Sequence, residues 1–134
     1  MKVVISENSL DITKVFSEIG KDGCGSVVIF TGIVRGKNRG KEVIRLEYEV
    51  YKEMAEDEIM RICEEAKEKF GLKDAVVIHR IGILYPGEVA VVVAVSSGHR
   101  KEGFEGCKYI IDEIKKRVPI WKKEVFVDGE EWVE

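Results

Sequence analysis

Apolar residues along this chain follow two periods, one helical and one extended. Ile12, Val15, Phe16 and Ile19 recur at i, i+3, i+4 and i+7, the stripe of an amphipathic helix. Ala55, Ile59, Ile62, Cys63, Ala66 and Phe70 mark a second helical face, and Gly71 is placed to cap its C-terminus. A third helix is predicted from about Lys101 to Arg117, with Phe104, Cys107, Ile111 and Ile114 as its buried face. Gly103 and Gly106 weaken that helix by roughly 1 kcal/mol each relative to alanine, and Pro119 stops it. Between the helices the period shortens to two or the run becomes continuously apolar. Lys2 to Ile5 reads as a short strand, and the β-branched run Ser26 to Val34 as a buried one. Gly32 inside that run marks a bulge or a close backbone approach. Leu46, Tyr48 and Val50 alternate with Arg45, Glu47 and Glu49, the signature of a half-exposed strand. Ala75 to Leu84 and Glu88 to Ser97 read as two strands joined at Tyr85-Pro86-Gly87, and the C-terminal stretch as a hairpin turning at Asp128-Gly129. Hairpins interspersed with helices favour α+β over a doubly wound parallel sheet.

Composition narrows the setting. At 134 residues and 45% hydrophobic, the chain is most simply one domain, residues 1–134, with enough apolar surface for a core. No apolar run approaches the roughly 20 residues of a membrane span, and the first residues lack the apolar region of a signal peptide. Cys24, Cys63 and Cys107 are widely spaced, odd in number and without a zinc pattern. They read as free thiols of a cytoplasmic protein, with no metal and no cofactor expected.

Charge is more informative, because the chain is acidic overall, at −3, yet carries three basic clusters. In Arg35, Lys37, Arg39 and Lys41, Gly36 and Gly40 are interspersed, so backbone N–H groups and cations together could meet an anion. The plain alternative is a solvated hairpin loop. Gly98-His99-Arg100-Lys101 sits where a strand passes to a helix. Cations there oppose the helix dipole unless an anion is present; the alternative is an ordinary turn. His79, mid-strand beside Arg80, reads as structural. The segment Lys115 to Glu124 is densest, with Lys115, Lys116, Arg117, Lys122 and Lys123 around Pro119 and Trp121. The helix dipole can explain the first three cations, but not Lys122, which lies in a strand. Desolvation there would lower the pKa of Lys122 and suit it to acid–base work. From the residues alone the chain is an anion-binding α+β domain.

FTGIVRGKNRG, VIHRIGILYPGE, SSGHRKEGFEG and KKRVPIWKKE occur in the order seen in the large, catalytic subunit of molybdopterin synthase, the MoaE family, and the chain resembles that family from about Ser26 to its C-terminus. The resemblance implies an α/β-hammerhead fold with additional antiparallel strands. It implies a homodimer in which each protomer binds a small ubiquitin-like sulfur-carrier subunit, giving a heterotetramer. That partner's C-terminal Gly-Gly carries a thiocarboxylate. Two sulfurs pass from it to cyclic pyranopterin monophosphate (precursor Z), forming the dithiolene of molybdopterin. Lys115 and Lys122 match the family's two essential lysines. Arg35, His99 and Arg100 match residues that bind the pterin and its phosphate, and Arg39 matches less closely. In the family the arginine corresponding to Arg35 can come from the neighbouring protomer. Two other readings compete. One is a non-catalytic scaffold for a ubiquitin-like partner. The other is a nucleic-acid-binding module, disfavoured by the acidic total and by basic residues that lack interleaved stacking aromatics.

Overall fold

A computed structural model describes residues 1–133. In chain order the elements are β1 (Lys2–Ser6), α1 (Ile12–Glu18), β2 (Ser26–Ile33), β3 (Lys37–Asn38), β4 (Lys41–Val50), α2 (Lys52–Phe70), β5 (Asp74–Arg80), β6 (Gly82–Leu84), β7 (Val89–Ser97), α3 (Arg100–Arg117), β8 (Ile120–Phe126) and β9 (Gly129–Val133). The α+β class and the added antiparallel strands expected from the sequence are both present. Two sheets divide the strands. One has the order β1-β5-β7-β2, parallel only between β1 and β5. The other has the order β3-β4-β8-β9, with β6 also paired to β4.

Strand alternation lets the first sheet serve two cores. Ala75 and Val77 on β5, with Val93 and Val95 on β7, pack under α2 and α3, against Ala55, Ile59, Ile62, Cys63, Ala66, Cys107 and Ile110. Val76, Val92 and Ala94 point the other way, toward Val15 of α1 and its C-cap Ile19. A third core joins Val43, Leu46, Leu84 and Phe126 of the second sheet to Ala90 of β7 and to Val34, just past β2.

Three expectations need correction. Residues 75–84 form two strands, because Gly82 takes φ 88°, a left-handed conformation that turns the chain out of the first sheet and into the second. On α1 and its C-cap, Val15 and Ile19 are buried while Ile12 and Phe16 stay exposed, since the seven-residue helix meets the sheet along one narrow line. On α3, Phe104 is exposed and Ile111 half-buried; the buried positions are Gly103, Gly106, Cys107, Ile110 and Ile114. The two glycines are the reason. A Cβ on Gly106 would lie 2.8 Å from both Leu72 Cδ atoms, and one on Gly103 would lie 3.0 Å from Val28 Cγ2 and Ser97 Oγ. They let α3 press closely on its neighbours, and Phe104, one position on from Gly103, turns outward.

Candidate active site

Where α3 ends, the helical face of the first sheet meets the second sheet, and a cavity of about 460 Å³ opens between them. The first sheet contributes Phe30, Gly32, His79, Val91 and Val93, and the second contributes Tyr48, Ile120, Lys122 and Val133. Gly32 lies at a register shift between β2 and β7, and a Cβ there would meet Val91 Cγ1 at 2.7 Å. The close approach expected at Gly32 is therefore real, and it lines this cavity.

Both expected lysines reach the cavity. Lys115 lies in the last turn of α3, on the face shared with Ile111 and Val118. Lys122 follows on β8, and the short connection through Val118 and Pro119 aims the two side chains at one space. Neither has an ion-pair partner among the described residues. The other three cations of the segment are engaged elsewhere. Lys116 pairs with Glu113 at 3.5 Å. Lys123, on the opposite face of β8, lies 3.6 Å from both Glu47 and Glu130. Arg117 bridges α3 to α2 through Glu58 and Glu65.

The cavity's electrostatics follow from burial and from its cations. Burial is the main influence lowering the pKa of Lys122; Arg35 and Lys115 are near enough to lower it further, and Glu124 opposes them. Glu124 is buried on the same face of β8 as Lys122 and accepts Asn38 Nδ2 at 2.8 and 3.0 Å. That bond ties the basic loop 35–41 to the lysine strand, so Arg35 and Lys122 belong to one neighbourhood of one chain. Burial, reinforced by Glu124, pushes the Tyr48 phenol up to about 12. Burial also holds His79 below its ordinary value, against the effect of its bond to the Arg80 carbonyl.

The remaining candidates lie apart. His99 is the N-cap of α3, and it and Arg100 are exposed. Arg100 precedes Lys115 by 15 residues of one helix, about 22 Å along its axis at 1.5 Å per residue. Arg39 is exposed at the β3–β4 turn, with φ 53°. The sequence pattern does not single out Tyr48, Asn38 or Glu124, and it favours a structural role for His79. Tyr48 and Glu124 were recoverable in principle, since period two places Glu124 on the face of Lys122, but the pairing of Tyr48 with Lys122 needs the β4–β8 register. Among the described residues no cluster of His, Cys, Asp or Glu is arranged to hold a metal, and no helix is long and apolar enough to cross a membrane.

Comparison with known proteins places the chain in a family. The family model described as MoaE protein matches residues 5–117. The molybdopterin synthase catalytic subunit of Pyrococcus abyssi is 44% identical over 134 residues, covering all of this chain and 90% of the relative. Molybdopterin synthase from Staphylococcus aureus, solved by crystallography, superposes with a TM-score of 0.93 at 38% identity, over 97% of this chain and 95% of that one. A more distant fold neighbour, with a TM-score of 0.79 at 20% identity over 98% of this chain and 90% of that one, comes from a protein–protein complex of subunits 1 and 2 of the Helicobacter pylori molybdopterin-converting factor. With the family model spanning most of its length and relatives this similar along the whole of it, the chain belongs to the MoaE family.

Proposed function

We propose that this chain is the catalytic subunit of a molybdopterin synthase. It transfers two sulfurs from the C-terminal thiocarboxylate of a small ubiquitin-like subunit to cyclic pyranopterin monophosphate, forming the dithiolene of molybdopterin. The observation that carries the reading is the convergence of Lys115 and Lys122, neither ion-paired among the described residues, on one largely apolar cavity. An extended Gly-Gly tail has no side chains to accommodate and fits such a cavity. Its thiocarboxylate is an anion, which the two lysines attract in a desolvated setting where charge acts strongly. Displacing oxygen from the pterin needs a proton donor, and a lysine with a depressed pKa gives up its proton more readily than a free one.

Arg35 supplies positive charge beside Lys122, and Arg39 extends it along the loop for the substrate phosphate. His99 and Arg100 lie too far along α3 to serve the Lys115 of their own chain. A second copy brings them to the site, which makes the homodimer functional; two such sites with one small subunit each give the heterotetramer. The two-subunit complex from Helicobacter pylori supports a paired assembly. Residues 1–134 act as one domain, in the cytoplasm.

Reconstitution tests this reading. Mixed with a thiocarboxylated ubiquitin-like partner and cyclic pyranopterin monophosphate, the protein forms molybdopterin and consumes two partner thiocarboxylates per product. Partner binding without product would replace the enzyme with a scaffold. Salt-sensitive RNA binding without affinity for pterin phosphates would replace it with a nucleic-acid module.

A further inference from the structure

His79 is a second polar group of the cavity whose role the lysine chemistry leaves unassigned. It is buried at 7% exposure and lines the cavity together with Tyr48, Lys115 and Lys122. Its Nδ1 lies 2.7 Å from the Arg80 carbonyl oxygen. A carbonyl only accepts, so Nδ1 carries the hydrogen and the neutral ring keeps its lone pair on Nε2. Nε2 has no hydrogen-bond partner among the described residues, and it is not among the sealed polar atoms there, which are Arg80 Nε and Glu102 Oε2. It therefore keeps accessible surface, on a ring that lines the cavity. The ring is braced edge-to-face by Tyr48 at a centroid distance of 5.1 Å. A histidine anchored through Nδ1, with a free Nε2 facing a cavity, is the arrangement of a general base.

Atom balance supplies a step for such a base, on the function proposed above. The thiocarboxylate sulfur attacks an oxygen-bearing carbon of the pterin side chain. A C–S bond forms, and the C–O bond breaks with its electron pair leaving on oxygen. The partner's tail is now joined to the substrate as a thioester. Releasing it requires water: the water oxygen bonds to the acyl carbon, the acyl C–S bond breaks, and sulfur leaves as a thiolate on the pterin. The tail departs as a carboxylate. Thiolate and carboxylate together release two protons: a base takes one from the water as it attacks, and the second leaves to solvent as the new carboxylic acid ionises at neutral pH.

We infer that His79 Nε2 is the general base that activates the water hydrolysing this thioester, once for each sulfur delivered. The groups facing it from other elements suit the role. Tyr48 on β4 is a neutral phenol, and Lys115 on α3 and Lys122 on β8 line the same cavity. Burial disfavours the charged ring and, outweighing the opposing effect of the Arg80 carbonyl bond, holds its pKa below the ordinary value, which favours the neutral base.

The test is single turnover with thiocarboxylated partner and cyclic pyranopterin monophosphate, followed by intact mass of the partner. His79→Asn keeps a donor near the Nδ1 position and removes Nε2; His79→Gln removes the base while keeping an amide near Nε2. Both variants are expected to accumulate the partner–pterin adduct, with its breakdown slowed about 100-fold or more. In the unmodified protein, adduct breakdown is expected to slow as the pH falls below 6.5. Variants that release the partner at the normal rate would overturn the proposal. So would variants that lose both steps equally with a lower Tm, the mark of a structural histidine, or a wild-type breakdown rate unchanged by acidification. If the unmodified protein forms neither adduct nor product, the sulfur-transfer reading itself fails, an outcome distinct from loss of the histidine's role alone.

Discussion

Lys122 and Lys123 are adjacent in sequence and opposite in surroundings. Strand alternation sends Lys123 to the face of Glu47 and Glu130, where it is neutralised, and Lys122 to the cavity, where burial depresses its pKa. Lys122→Ala is expected to lower the sulfur-transfer rate by about 10²–10⁴ while the circular dichroism spectrum and Tm stay close to those of the unmodified chain. Near-normal transfer in that variant would remove Lys122 from the chemistry. The two lysines were legible in the sequence through the family-like pattern around Pro119 and Trp121. Glu124 shares the face of Lys122 by strand alternation, but Tyr48 and His79 were not legible, because a single strand's pattern says which residues share a face and not which other strand completes it.

At the scale of the element, α3 carries both ends of the proposed site, and its seating is therefore critical. Gly106 costs helix propensity but lets α3 reach Leu72. Gly106→Ala would recover about 1 kcal/mol of propensity and lose about 1–3 kcal/mol to overpacking against the buried Leu72 side chain. A lower Tm in thermal melts is the expected net result; a higher one would show that the contact relaxes freely. The C-terminal end of α3 is held to α2 by Arg117, whose guanidinium, helped by the Tyr109 hydroxyl, pulls Glu65 down to about 2. Because the folded pKa of Glu65 lies below its ordinary 4.5, the stability it contributes is present above pH 4.5 and is lost as the pH falls toward 2. Arg117→Met is therefore expected to lower Tm at neutral pH, with the difference from the unmodified protein shrinking across that acid range in a series of melts. Helix periodicity alone misassigned Phe104 to the core, since a repeat of 3.6 counts glycine as a gap when here the gap is the contact.

At the scale of the whole molecule, the distance between the ends of α3 means that the proposed site, if it includes His99 and Arg100, is built from two chains. Mixing Lys122→Ala protein with His99→Ala/Arg100→Ala protein tests this. Each variant alone is expected to be inactive. Random exchange of subunits makes half the dimers mixed, and each mixed dimer has one intact site, so about a quarter of full activity should return. No recovery after demonstrated exchange would place all these groups in sites built from one chain. The sequence by itself determined most of the elements and the α+β class, because period and glycine and proline punctuation act locally along the chain, and its family resemblance singled out the two lysines. Only the tertiary structure decided that residues 75–84 split between two sheets at Gly82, that α3 docks on its glycines, and that Asn38 carries the basic loop to Glu124. It also decided that His79 stands beside the lysines and that His99 and Arg100 stand away from them. These facts depend on register and close approach between segments distant in sequence, and no local pattern encodes which surfaces meet.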